Sequence, residues 1–218
     1  MYSETNFRTK IQHKMKKLSV LILGLAFVTF TSCKKEEKTE TPTETKEEVK
    51  GLTIVNDSTK VKWTAFKTTD KVAVGGSFTQ IELKDVKTGN SPEQVLEGVA
   101  FSIPVSSLFT NNPDRDSKLK TFFFGTLKNT ELLSGILNFR DNQLFMTLSM
   151  NDVTKQIPLE YTFENNLLSM KTTLNLNDFG GEKALAAINK VCYDLHKGPD
   201  GVSKTWETVD IMGEVLFQ

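Results

Sequence analysis

The sequence has few of the residues from which metal centres and catalytic sites are built. It contains two cysteines and two histidines in 218 residues, and only Cys192 and His196 fall after residue 50. That part of the chain therefore lacks the ligands for a zinc site of several cysteines and histidines. The nucleophile elbow of α/β-hydrolases, the P-loop and the glycine-rich dinucleotide motif are missing as well. We predict no catalytic residue, no metal site and no cofactor, although a glycosidase-type carboxylate pair stays open because acidic residues are plentiful.

Excess charge of one sign is also missing, and so is a long hydrophobic run. The 27 basic residues balance the 27 acidic ones, which argues against a nucleic-acid binder that depends on phosphate contacts. The uncharged apolar run at residues 18–30 has 13 residues. A transmembrane helix needs about 20, so this run is too short to span a bilayer.

The apolar run instead suits the hydrophobic part of a secretory signal peptide. The lysines at 14, 16 and 17 precede it, and the small residues Thr31 and Ser32 follow it, directly before Cys33. This stretch resembles a bacterial lipobox, with Phe30 where leucine is usual. The resemblance implies cleavage before Cys33 and acylation of that cysteine, with palmitate among the acyl groups. The alternative is an ordinary signal peptide cut near Ser32.

The sequence divides into three parts. Residues 1–32 are the predicted signal peptide, with Met15 as the expected start because signals normally open on basic residues. Residues 33–50 carry charge of both signs, no aromatic residue and one aliphatic residue, so we predict a lipidated, disordered tether. The run at 34–37 resembles surface-export signals of some Bacteroidetes lipoproteins, although a plain solvated linker explains it too. We expect a cell-envelope protein anchored by lipid, on the periplasmic face of the outer membrane or on the cell surface.

Residues 51–218 are predicted to form one all-β domain without an internal disulfide. Apolar side chains alternate with other residues along several segments, as in strands with one buried face. The segments start at Val61, Val99, Leu144, Val153 and Leu168. The pairs at 151–152 and 165–166 indicate turns, and the last strand is expected at 208–217. Helical turns are predicted at two places. One places Leu119, Phe122 and Phe123 on one side and ends at Gly125, and the other spans 182–190.

Three segments make the domain similar to the YceI-like family. They are the Arg115-Asp116 pair followed by Leu119 and Phe122-Phe123, the hairpin at 151–155, and Asp178-Phe179-Gly180. Their order and spacing resemble the family over about residues 52–217. The resemblance implies a lipocalin-like antiparallel β-barrel of about eight strands with one or two short helices. It also implies an apolar lumen that holds an isoprenoid or another long-chain lipid, and a binding role instead of catalysis. Where many members have a histidine, this chain has Thr69-Asp70.

The resemblance makes inward-facing side chains candidates for lining the lumen. They are Trp63, Phe101, Ile103, Phe122, Met146, Leu148, Met150, Leu159, Tyr161, Met170 and Leu174. Arg115 and Asp116 are candidates for a polar site at the barrel mouth, where the alternative is a salt bridge or a helix cap. The alternative is a ligand-free envelope module with an interaction or stress role, in which side chains fill the lumen.

Four other residues are open to two interpretations. His196 with Asp194 suits metal binding or proton transfer, but a surface-loop histidine is favoured. Cys192 is a reactive thiol or, as favoured, a small buried apolar residue. Trp63 and Trp206 pack in the barrel or at its rim. The sequence leaves open whether the domain is a monomer or a homodimer.

Overall fold

The computed structural model describes residues 51–55 and 57–218. The predicted signal peptide and the whole of the predicted tether, Cys33 included, lie outside these residues. The strands are β1 (Lys60–Lys67), β2 (Val72–Phe78), β3 (Glu82–Lys84), β4 (Ala100–Pro104), β5 (Leu108–Phe109), β6 (Leu132–Arg140), β7 (Gln143–Met150), β8 (Val153–Glu164), β9 (Leu167–Asn175) and β10 (Thr205–Leu216). The α-helices are α1 (Pro92–Leu96), α2 (Pro113–Lys118) and α3 (Glu182–Val191). Within the described residues, no helix is long and apolar enough to cross a membrane.

The ten strands form one antiparallel sheet in the order β3-β4-β6-β7-β8-β9-β10-β1-β2-β5. The two end strands of this order are β3, which directly follows β2 in the chain, and β5, which follows β4. The stretch β2–β3 therefore pairs with the stretch β4–β5 twice, through β3 with β4 and through β2 with β5. Between these two strand pairs, the Thr79 amide donates to the Ser107 carbonyl at 2.9 Å. The sheet therefore curls into a barrel of eight chain stretches, which confirms the predicted all-β antiparallel fold.

Three hairpins of the barrel turn on pairs of asparagine and aspartate. Both residues of the pairs at 141–142, Asn151-Asp152 and Asn165-Asn166 have positive φ angles. Two successive positive φ values are typical of the two-residue turns that match the twist of antiparallel strands. Asparagine and aspartate tolerate this conformation better than other residues with side chains. The predicted turns at 151–152 and 165–166 are confirmed.

The alternation of apolar side chains reports correctly which face of each strand is buried. Along β7, Leu144, Met146, Leu148 and Met150 are all buried, while the residues between them are partly exposed. β9 shows the same pattern and places Leu174 in the interior. Because successive side chains of a strand point to opposite faces, one row from each strand fills the barrel.

The helical segment after β5 departs from the expected arrangement. We predicted Leu119, Phe122 and Phe123 on one side, as α-helical spacing requires. The structure has a π-helical turn at Leu119–Phe123, in which the Phe124 amide donates to the carbonyl of Leu119. This wider turn brings Phe123 and Phe124 inward, each with 8% of its surface exposed, and leaves Phe122 at 38%. Helix α3, which confirms the second predicted helix, packs against this segment and β10.

Candidate functional site

The barrel interior contains two apolar cavities that share a wall. The first has a volume of about 170 Å³ and the second about 130 Å³. Both are lined by Phe78, Leu133, Leu174 and Ile211, so the two spaces adjoin. Each is far larger than the roughly 30 Å³ that a water molecule occupies in the liquid. The lumen is thus not packed solid with side chains.

The first cavity lies between the barrel strands and the helical segments at one end of the barrel. The strands contribute Trp63 and Met150, among others, while the helical segments contribute Leu119, Phe123 and Ile188. These segments therefore cover the end of the lumen instead of standing apart from the barrel. Lysine and arginine side chains also line this cavity, and they are considered below.

Most of the predicted lumen residues lie at these cavities. Trp63 and Met150 line the first, Leu174 lines both, and the second is lined by Phe101, Ile103, Met146, Leu148, Leu159 and Met170. Phe122 and Tyr161 line neither cavity. The Tyr161 ring packs edge-on against Phe139, with 5.5 Å between the ring centroids, and its hydroxyl donates to Glu93 Oε1 at 3.4 Å.

The barrel leaves room for its larger aromatic side chains through glycines on neighbouring strands. Trp63 lies directly opposite Gly76, and Phe101 lies opposite Gly135. A Cβ atom on Gly76 would come within 2.7 Å of Trp63 Cε2, and one on Gly135 within 2.6 Å of Phe101 Cζ. Since non-bonded carbon atoms prefer separations of about 3.5–4.0 Å, these positions have no space for a side chain.

Arg115 and Asp116, which the sequence groups together, have different surroundings. Arg115 lines the first cavity. Asp116 Oδ1 instead accepts hydrogen bonds from the backbone amide of Thr110 at 2.9 Å and from its hydroxyl at 2.6 Å. The helix cap is Asn112, whose side chain accepts from the Arg115 amide at 3.0 Å. Asp116 thus holds the loop before α2, while Arg115 faces the cavity.

The favoured interpretation of His196 as a surface-loop residue is wrong. His196 is half-buried and lines the first cavity. Its Nδ1 atom lies 2.7 Å from Thr205 Oγ1, which in turn donates to Asn189 Oδ1 at 2.8 Å. Burial and the nearby positive charge of Lys67 lower the pKa of the imidazole. The helical turn after α3 places His196 against the start of β10, which the sequence spacing did not indicate.

Asp194 and Cys192, the remaining acid–base candidates, have different surroundings. Asp194 is exposed and pairs with Lys197 at 3.4 Å, so it is not the partner of His196. Among the described residues, no three histidine, cysteine, aspartate or glutamate side chains come together as metal ligands. Cys192 is buried, as predicted, and burial raises the pKa of its thiol.

A surface groove adjoins the second cavity. The β1–β2 pairing ends at Val61 and Phe78, beyond which β3 pairs with β4 alone. The groove has a volume of about 720 Å³ and lies between residues 53–59 and 79–86. Its lining shares Thr59, Ile81 and Leu83 with the second cavity. These three residues therefore stand between the lumen and the surface.

Comparisons with known proteins agree with this architecture. A solved polyisoprenoid binding domain from Saccharophagus degradans, described as implicated in plant cell wall breakdown, aligns with a TM-score of 0.57 and 10% identity, over 78% of this chain and 98% of that one. BcnA from Burkholderia cenocepacia aligns with a TM-score of 0.52 and 12% identity, over 74% and 98%. At identities this low, the two alignments show that the fold is shared and nothing more. No curated protein matches the chain.

Family membership follows from the sequence match. The model of the YceI-like domain matches residues 52–215, from the segment before β1 into the last strand. The match covers most of the chain and nearly all of the barrel, so this protein belongs to the YceI-like domain family.

Proposed function

We propose that this protein is a lipid-anchored component of the cell envelope whose barrel binds or carries a long apolar ligand such as a polyisoprenoid. The observation that carries the proposal is the pair of adjoining apolar cavities inside the barrel. Ligand sites are typically concave and apolar with few polar groups, and these cavities fit that description. The polyisoprenoid binding domain that shares the fold supports this choice of ligand class.

The energetic reason for such a site is the cost of exposing a prenyl chain to water. Removing apolar surface from water contributes roughly 25 cal/mol per Å². Three methionines line the cavities, namely Met146, Met150 and Met170. Methionine side chains are flexible and adapt to irregular shapes, so the lumen can widen around a slender chain. The groove beside Thr59, Ile81 and Leu83 is the route by which we expect such a chain to enter.

Native mass spectrometry of the full-length protein, released gently from membranes, tests the binding role. We expect a bound species whose mass matches a long-chain lipid and which is lost when the protein is unfolded. The apolar cavities predict that a purified, emptied protein regains such a species when it is incubated with a polyprenol. Absence of any bound lipid, together with no uptake of polyprenol, would show that the barrel is a ligand-free module.

The anchor is tested by replacing the cysteine that the lipid would modify. We expect Cys33→Ser to move the protein from the membrane fraction to the soluble fraction and to abolish incorporation of labelled palmitate. Acyl chains contribute about 0.8 kcal/mol per buried CH₂ group, so the loss of several chains removes firm anchoring. Cys192→Ser is the matched control, because Cys192 is buried inside the domain and should accept no lipid. An unmodified wild-type Cys33 would refute the anchor and leave the ligand proposal untouched.

A further inference from the structure

The charged side chains that line the first cavity all carry the same sign. Lys67, Arg115 and Lys118 line it, and no aspartate or glutamate does. The whole chain has equal numbers of acidic and basic residues, so this asymmetry does not follow from composition. Lysine and arginine often lay their aliphatic stems along apolar surfaces and keep the charge at the edge. The cavity is therefore an apolar space with a cationic rim.

Two of these cations have partners that leave their charge available to a ligand. Lys118 Nζ lies 2.7 Å from Asp114 Oδ2, and the lysine side chain is 28% exposed and the aspartate side chain 75%, so the aspartate side of this contact is open to water. Lys67 Nζ donates to the backbone carbonyl of Leu195 at 2.9 Å, a neutral acceptor that does not cancel its charge. Exposed ion pairs are worth about 0–1 kcal/mol, so Asp114 competes weakly with a bound anion.

Arg115 is the third cation, and its guanidinium has no partner within the described part of the chain. The hydrogen bonds that Arg115 makes involve its backbone, whose amide donates to Asn112 Oδ1 and whose carbonyl accepts from the Leu119 amide. A guanidinium presents five N–H donors in a planar fork that matches a carboxylate or a phosphate. The wall of the same cavity also includes the buried indole N–H of Trp63, for which no described residue provides an acceptor. The cavity thus offers hydrogen-bond donors and positive charge, and its lining contains no carboxylate.

We propose that this cavity selects amphiphiles with an anionic head group, a phosphate monoester or a carboxylate. The apolar chain occupies the lumen, and the head lies among Lys67, Arg115 and Lys118. Lys67 comes from the end of β1, whereas the other two come from α2, so the head group is held from two sides. This inference rests on the proposed lipid-binding function and specifies the chemical class of the ligand.

Matched ligands that differ only in head group provide the test. Farnesyl phosphate is compared with farnesol, and palmitate with hexadecanol, for the full-length protein at low ionic strength. Both tryptophans of the chain line the first cavity, so intrinsic fluorescence reports occupancy directly. We expect each anionic ligand to bind about 10-fold more tightly than its alcohol. A charge-assisted hydrogen bond contributes enough free energy of binding for a difference of this size. Salt should reduce this preference, because the rim is open to solvent.

Arg115→Gln should bring the two affinities within about threefold of each other, because the anionic head group loses its guanidinium partner. Lys155→Gln is the control, since Lys155 is exposed on β8 and lines neither cavity. Equal affinities for anion and alcohol in the wild-type protein would overturn the head-group assignment while the lipid-binding role stands. Failure of all four ligands to bind would overturn the lipid-binding role, and this inference with it.

Discussion

Replacing Gly76 with alanine is expected to destabilise the barrel by about 2–3 kcal/mol, the upper part of the range for adding a methyl group at a closely packed position. The added methyl group would come within 2.7 Å of Trp63 Cε2 and 2.9 Å of Thr110 Cγ2. Trp63 is itself buried and lines the first cavity, so its ring can move away from the methyl group only by giving up its present packing contacts. Urea denaturation followed by circular dichroism measures the change in the free energy of unfolding.

The neighbouring glycine provides an unusually close control. Gly75 lies one residue earlier on the same strand and faces outward, where a Cβ atom would meet nothing nearer than 3.5 Å. Its φ angle is not among the positive ones, so alanine adopts the backbone without strain. Gly75→Ala should therefore be neutral or stabilise by up to about 1 kcal/mol, because glycine loses more backbone entropy on folding. Equal losses in the two variants would show that Trp63 does not determine the need for glycine.

The sequence predicts the strands well because their pattern is local. In β7, for example, alternation alone identifies the four side chains that point inward, and turn residues with positive φ separate the hairpins. Alternation also extends to Lys67, which has the same parity as Val61, Trp63 and Ala65. Parity alone does not place it in the cavity wall, however, because Phe66 also lines that cavity and the pairing with β10 shifts register between Ala65 and Lys67.

The helical end of the barrel could not be predicted in the same way. The aromatic residues at 122–124 are consecutive, so which of them face inward depends on the pitch of the turn, and the π-helical turn reverses the α-helical expectation for Phe122. His196 belongs to a loop whose local sequence is polar, and it is half-buried only because α3 and β10 converge there. These residues were misplaced because their environments arise from tertiary packing, on which local periodicity carries no information.

Leu174→Trp is expected to reduce lipid occupancy by at least about 10-fold while the barrel remains folded. Leu174 is buried on β9 and belongs to the wall that the two cavities share, so a larger ring at this position enters both spaces. Because the ring occupies empty volume, the loss of stability should fall near the lower end of the overpacking range, about 1 kcal/mol. Native mass spectrometry gives the bound fraction, and thermal melting shows whether the variant is folded.

Thr162→Trp separates a blocked lumen from a general effect of adding an indole ring. Thr162 lies on the adjacent strand β8 but is exposed on its outer face, and it lines neither cavity. We expect this variant to keep the lipid occupancy of the wild-type protein. Wild-type occupancy in a folded Leu174→Trp protein would mean that the ligand binds outside the barrel, for instance in the groove beside β3. Loss of occupancy in Leu174→Trp alone would place the apolar chain across the boundary between the two cavities, where Phe78, Leu133 and Ile211 also meet.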